Sequence, residues 1–226
     1  MLLVYSMEKF YFKSNGKKLC GILEPGRRPL LLLVHGFTSS KNGRTKRYIA
    51  SKLGNTLMAF DLYGHGESDG NMQDATIPIG IKNIVDAAKY ARKLGYKNII
   101  LMGSSFGGLC SMFAALKIRP AAIILRSPVS SYIGRKEALK NKGASFKRTY
   151  KKYEAYNISA KINCPVLIFH GTSDERVQIS QSRKLSKLLK HGKLIEIPKG
   201  KHDFTIPQMK YVVKGSRKFL EQIKGL

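Results

Sequence analysis

The stretch Asn98-Ile99-Ile100-Leu101-Met102-Gly103-Ser104-Ser105-Phe106-Gly107-Gly108 decides how this chain is read. An apolar run that suits a buried strand ends at Met102, and a helix-like segment runs from Gly108 to Lys117. Between them, Gly103 to Gly107 matches G-x-S-x-G with Ser105 at its centre. The match carries weight only in this strand-to-helix setting. So abrupt a reversal forces the central residue into a strained backbone conformation and demands flanks without bulk. The serine is then held above a sheet edge, at a helix N-terminus whose free N–H groups favour negative charge. The plain alternative is a glycine-rich turn carrying a solvated serine.

Outward from this turn the chain alternates. Leu30 to Val34 is a continuous apolar run before a glycine, as a strand covered on both faces requires, and Thr56 to Phe60 is a second. Ala121 to Leu125, Val166 to Phe169 and Leu194 to Ile197 read as further strands. Helical spacing marks Arg44 to Leu53, Ile79 to Ala91 with Gly95 as its stop, Ile179 to Leu189, and Pro207 to Ile223. Ahead of them, Phe10 to Phe12 and Leu19 to Leu23 flank Asn15-Gly16, a hairpin signal. The pattern predicts an α/β fold: a mostly parallel twisted sheet with an N-terminal antiparallel hairpin and helices on both faces. All 226 residues fit one domain. Residues 128–162 break the rhythm, and a compact domain rarely keeps that length as bare loop, so they are read as a short, partly helical cap insertion.

A serine hydroxyl needs a base, and histidine serves at neutral pH. Of His35, His65, His170, His191 and His202, only His202 follows the last strand and precedes the final helix, where the chain order Ser, Asp, His puts the base. His191 lies on the wrong side of that strand, and His35 and His170 each end a strand in a His-Gly pair suited to shaping a turn. After Ser105 the aspartates are Asp174 and Asp203, and Asp203 is bonded to His202 itself. Asp174, just past the strand Val166 to Phe169, is therefore the candidate acid, with Glu175 as runner-up. For an oxyanion hole the backbone N–H of Phe106 is one donor, and that of Phe37, in the loop after Leu30 to Val34, is the other. Phe37 also suits a pocket wall.

With these residues in place the chain resembles the α/β-hydrolase family, and within it the small intracellular esterases near cinnamoyl esterases, monoglyceride lipases and serine-aminopeptidase-like hydrolases. The matching pieces are His35-Gly36-Phe37-Thr38, Asp61-Leu62-Tyr63-Gly64-His65-Gly66-Glu67-Ser68, Gly103 to Gly108, His170-Gly171 with Asp174, and Gly200-Lys201-His202. The resemblance implies a Ser105, Asp174, His202 triad and makes Gly64 to Gly70 a structural loop near the site. That loop matches neither phosphate-binding glycine pattern. The fold by itself does not choose a substrate.

Composition bounds the rest. A hydrophobic fraction of 43% is that of a globular chain, and no apolar run approaches the ~20 residues of a membrane span. Met1 to Tyr5 lacks the marks of a secretory leader. Cys20, Cys110 and Cys164 are odd in number and widely spaced, so neither a disulfide framework nor a metal site is expected, and a cytoplasmic setting is. No cofactor is called for. The formal net charge is +27, and between Arg135 and Lys152 eight basic residues face the single acid Glu137, interleaved with Phe146 and Tyr150. Three functions compete. A carboxylesterase for small or medium esters needs only the triad and a short cap. A peptidase or amidase would use the same residues. A binding protein would hold nucleic acid or an anionic membrane through the basic patch, stacking on Tyr132, Phe146, Tyr150 and Tyr153, though a solvated lysine-rich surface explains the charge as well. The favoured partner is a small-molecule ester. In an anionic variant of that reading, Lys147, Arg148 and Lys151 steer a negatively charged substrate to the site.

Overall fold

A computed structural model of the chain describes residues 7–140 and 142–223, which leaves the N-terminal stretch read for a leader outside the described residues. Its eight strands form one sheet: β1 (Glu8–Ser14), β2 (Lys17–Glu24), β3 (Arg27–Val34), β4 (Asn55–Phe60), β5 (Ile99–Ser104), β6 (Ala122–Arg126), β7 (Val166–Gly171) and β8 (Gly192–Ile197). They lie in the order β1-β2-β4-β3-β5-β6-β7-β8. The hairpin β1-β2 and the β2-β4 pairing are antiparallel, and all other pairings are parallel. At the hairpin tip Asn15 and Gly16 both have positive φ, 50° and 73°, as the tight turn of an Asn-Gly hairpin requires.

The apolar runs are continuous because both sheet faces are covered. In β3, Leu30, Leu32 and Val34 enter one hydrophobic cluster while Leu31 and Leu33 enter the other, the two-residue period of a strand divided between two cores. The first core takes residues from helices α2 (Ile77–Lys93), α3 (Phe106–Ile118) and α6 (Ser180–Leu188), the second from α1 (Arg44–Leu53) and α7 (Ile206–Glu221). The last of these starts with a full capping box, Thr205 with Gln208, and a proline in its first turn, which satisfies otherwise orphaned N–H groups. Among the described residues no helix is long and apolar enough to cross a membrane.

Between β6 and β7 the chain forms two short helices, α4 (Lys136–Leu139) and α5 (Ala144–Thr149), and the 3-10 turns Tyr150–Lys152 and Ala155–Lys161. This segment is anchored from within: Tyr132, Phe146, Ala155 and Ile158 are buried in the first core. Two of the aromatic residues expected to stack bases, Tyr132 and Phe146, are thus turned inward, with ring centroids 5.2 Å apart in an edge contact. The three cysteines are free thiols, Cys20 and Cys110 buried and Cys164 half-buried.

Candidate active site

Because β3, β5, β6, β7 and β8 run parallel, the loops that follow them leave from one edge of the sheet, where doubly covered sheets gather their ligand sites. The turn at the end of β5 is tighter than the sequence suggests. Helix α3 begins at Phe106, directly after Ser105, not at Gly108. The whole reversal is carried by Ser105, with φ 51° and ψ −119°. A non-glycine residue there costs on the order of 1–3 kcal/mol and persists only where its surroundings over-determine it. They do so here. The Ser105 N–H donates to the Arg126 carbonyl at 3.0 Å, and the Ser105 carbonyl accepts from Gly108, Leu109 and Val129 at 3.0, 3.3 and 3.1 Å.

Ser105 and His202 line the same cleft, of about 980 Å³, together with Phe37, Thr38, Tyr132, Arg135, Lys142 and Gln181. The His202 Nδ1 donates to Asp174 Oδ2 at 2.8 Å. That bond fixes the tautomer and leaves Nε2 as an acceptor. Asp174 is buried, and its other oxygen, Oδ1, accepts the backbone N–H groups of Arg176 and Val177, each at 2.9 Å. Burial alone would raise this carboxyl, but hydrogen bonds from His170, His202 and Val177 outweigh it and hold the group well below the usual carboxylate range. Glu175, the runner-up acid, is exposed on the cleft wall.

Close backbone contact joins the loops that carry Asp174 and His202. A Cβ at Gly171 would fall 2.1 Å from the Gly200 carbonyl oxygen. The Ser173 N–H donates to that same oxygen at 2.9 Å, and the Lys199 N–H donates to Thr172 Oγ1 at 2.9 Å. Behind them stands His170, whose Nε2 is 2.8 Å from the Val177 carbonyl and 3.2 Å from Asp174 Oδ2, with Nδ1 2.7 Å from Ser182 Oγ. The sequence marks His170 as a turn former; the structure makes it a second histidine on the candidate acid.

The loop after β3 comes equally close. A Cβ at Gly36 would lie 3.1 Å from the Ser105 Cβ, so glycine lets the Gly36–Phe37 backbone run beside the hydroxyl. Two histidines hold that loop in shape. His35 Nε2 accepts the Leu62 N–H at 2.9 Å, so its Nδ1–H donates to the Gly36 carbonyl at 2.7 Å. His65 Nε2 accepts the Thr38 N–H at 3.3 Å, and its Nδ1 is 2.9 Å from the Tyr63 carbonyl. Burial lowers the pKa of His65, against the opposing pull of the Tyr63 carbonyl. The Asp61–Ser68 loop is in turn secured by Lys41, a residue the sequence does not single out. Its buried ammonium lies 2.8 Å from Asp61 and 2.6 Å from Glu67. On the opposite wall, Gln181 of α6 accepts the Ser130 and Ser131 N–H groups at 2.8 and 3.2 Å and ties down the start of the β6–β7 segment. Among the described residues no group of three His, Cys, Asp or Glu side chains is placed to hold a metal ion.

Known proteins resemble this chain in sequence and fold. The serine hydrolase (FSH1) family profile matches residues 85–215, and the α/β-hydrolase fold profile matches residues 29–140. Human α/β-hydrolase domain-containing protein 17B is 30% identical over 166 residues, which cover 71% of this chain and 55% of the relative. The 17C protein of Xenopus laevis is 28% identical over 77% of this chain and 57% of its own length. The chain thus spans little more than half of these relatives. The structure of Est1E from Butyrivibrio proteoclasticus with ferulic acid bound superposes with a TM-score of 0.86 at 27% identity, covering 95% of this chain and 98% of that one. Mouse α/β-hydrolase domain-containing protein 10 has a TM-score of 0.82 at 19% identity, a likeness of fold.

Proposed function

Because this chain belongs to the serine hydrolase family of the α/β-hydrolase fold, we propose that it cleaves carboxylic esters of small or medium size through an acyl-enzyme on Ser105. The observation that carries this reading is the 2.8 Å bond from His202 Nδ1 to the buried Asp174, beside a serine held at φ 51° in the same cleft. Ser105 Oγ attacks the ester carbonyl and passes its proton to His202 Nε2, while Asp174 stabilises the imidazolium. The backbone N–H groups of Phe37 and Phe106 receive the oxyanion. Collapse of the tetrahedral adduct expels the alcohol, which takes the proton from His202. A water molecule then attacks the acyl group by the same route and restores the serine.

Residues 128–162 serve as the cap that limits substrate size, since their side chains form much of the cleft wall. The likeness to Est1E, a protein solved with ferulic acid, supports including esters of aromatic acids in the substrate panel. The test is steady-state hydrolysis of short-chain p-nitrophenyl esters, with aminoacyl-naphthylamides for comparison. Ser105→Ala should lose roughly 10⁴-fold or more in kcat, as other serine triads do. Equal turnover in wild type and Ser105→Ala would refute the assignment, and faster cleavage of the amides would turn it toward a peptidase.

A further inference from the structure

The cleft wall built by the segment between β6 and β7 carries two cationic groups that form no ion pair among the described residues. Lys142 is only 7% exposed. Its Nζ lies 2.6 Å from the centroid of the Phe37 ring, 5.2 Å from that of Phe146 and 5.6 Å from that of Phe106. Among the described residues no carboxylate forms an ion pair with it. Aromatic faces attract an ammonium, but less than its removal from water costs. Burial accordingly pushes the Lys142 ammonium down to about 7, with the Arg135 charge acting in the same direction.

Arg135 is the second group. Its Nη2 donates to the Arg176 carbonyl, and its guanidinium lies 5.5 Å from the Tyr132 ring centroid. Its Nη1 is buried and makes no hydrogen bond. The other charges of this wall are engaged or open to solvent: Glu137 pairs with Lys140 at 2.8 Å, Arg176 pairs with Asp203 at 2.9 Å, and Lys136 and Glu175 are exposed. Lys147, Arg148 and Lys151, which the sequence reading selects for steering, are exposed and stand outside the cleft lining. A buried ammonium and a guanidinium with an unpartnered N–H thus line the same cleft as Ser105.

The geometry points to Lys142 and Arg135 as the specificity determinants of this enzyme: its ester substrate carries a carboxylate or phosphate group, and these two side chains receive it. This rests on the esterase reading and names the substrate class for it. The substrate's anion compensates the charge that the aromatic cage leaves bare, and the guanidinium adds a directional, charge-assisted hydrogen bond.

The experiment compares 4-nitrophenyl butyrate, mono-4-nitrophenyl glutarate and 4-nitrophenyl 4-phosphonobutyrate in wild type, Lys142→Met, Lys142→Arg and Arg135→Gln. Wild type is expected to favour at least one anionic ester over the butyrate, and the better of the two identifies carboxylate or phosphate as the group recognised. Lys142→Met and Arg135→Gln each lower that kcat/KM ratio roughly 10- to 100-fold, mainly through KM, the usual range for a hydrogen bond to a charged group. Lys142→Arg keeps part of the preference. Calorimetric titration of Ser105→Ala with the glutarate ester measures the same recognition without turnover: binding is expected there and is lost when Lys142→Met is added. Butyrate hydrolysis without anionic preference, or a preference indifferent to both Lys142→Met and Arg135→Gln, overturns the inference and leaves the esterase reading standing. Absence of all ester hydrolysis, with glutarate-ester binding that still depends on Lys142, overturns the esterase reading and supports the anion site.

Discussion

Asp174→Asn tests the candidate site at the atom on which most of its bonds converge. The Oδ1 oxygen holds two backbone N–H groups at 2.9 Å, so the amide carbonyl of the variant must stay there. Its NH₂ then falls at Oδ2, facing His202 Nδ1 from 2.8 Å and His170 Nε2 from 3.2 Å. To accept from that NH₂, His202 must move its proton to Nε2, which removes the lone pair that takes the serine proton. The equivalent change in a serine protease triad lowers kcat about 10⁴-fold, which corresponds to about 5 kcal/mol of transition-state stabilisation. His170 cannot adjust in the same way, because its Nε2–H also serves the Val177 carbonyl at 2.8 Å. It meets the new NH₂ donor against donor, a buried mismatch costing about 1–3 kcal/mol. At ~2–4 °C per kcal/mol for a chain of this size, melting should fall by roughly 2–12 °C. The assay is kcat on a neutral p-nitrophenyl ester beside urea unfolding of the same preparation. A kcat reduced less than tenfold with unchanged stability would refute both the tautomer argument and the double role of Asp174.

Two further outcomes follow from the buried charges. Lys41→Met strands the Asp61 carboxylate, which is fully buried with Lys41 at 2.8 Å. Urea unfolding should register a loss of about 3–5 kcal/mol, partly recovered in Lys41→Met/Asp61→Asn; a loss below about 1 kcal/mol would show that Asp61 is satisfied without the ammonium. Below pH 7, where the loss that the depressed Lys142 ammonium contributes is largely complete, stability should fall in two further stages. The folded pKa of His65 is depressed, chiefly by burial, so its contribution is complete above the unfolded value near 6.5 and declines below it. Asp61 and Asp174 have folded pKa values lowered by their hydrogen-bond donors, against the raising effect of burial. Their contribution is therefore complete above the unfolded value of about 4 and drains away below it. Melting temperatures across pH 3–7 should show the stage below 6.5 shrink in His65→Gln, and a curve unchanged by that substitution would contradict the assignment.

The sequence by itself determined the strand and helix order, the hairpin and the candidate nucleophile, base and acid. The reason is physical. Strand runs such as Leu30–Val34 and Asn98–Met102 declare themselves through local apolar pattern, and parallel crossovers of one hand bring their carboxyl ends to one edge. Ser105, Asp174 and His202 are legible because each stands directly after such a run. Only the tertiary structure decided what the charged residues do. Lys142 sits in a basic run that reads as a solvated face, yet it is buried among three phenylalanines drawn from positions 37, 106 and 146. Lys41 finds Asp61 across 20 positions, and His170 reaches Asp174 because the turn between them folds back. The energy of a charge depends on which distant side chains desolvate or pair with it. No periodicity along the chain records that, and so the buried cation in the cleft of Ser105 emerges only once the segment between β6 and β7 is folded against the sheet.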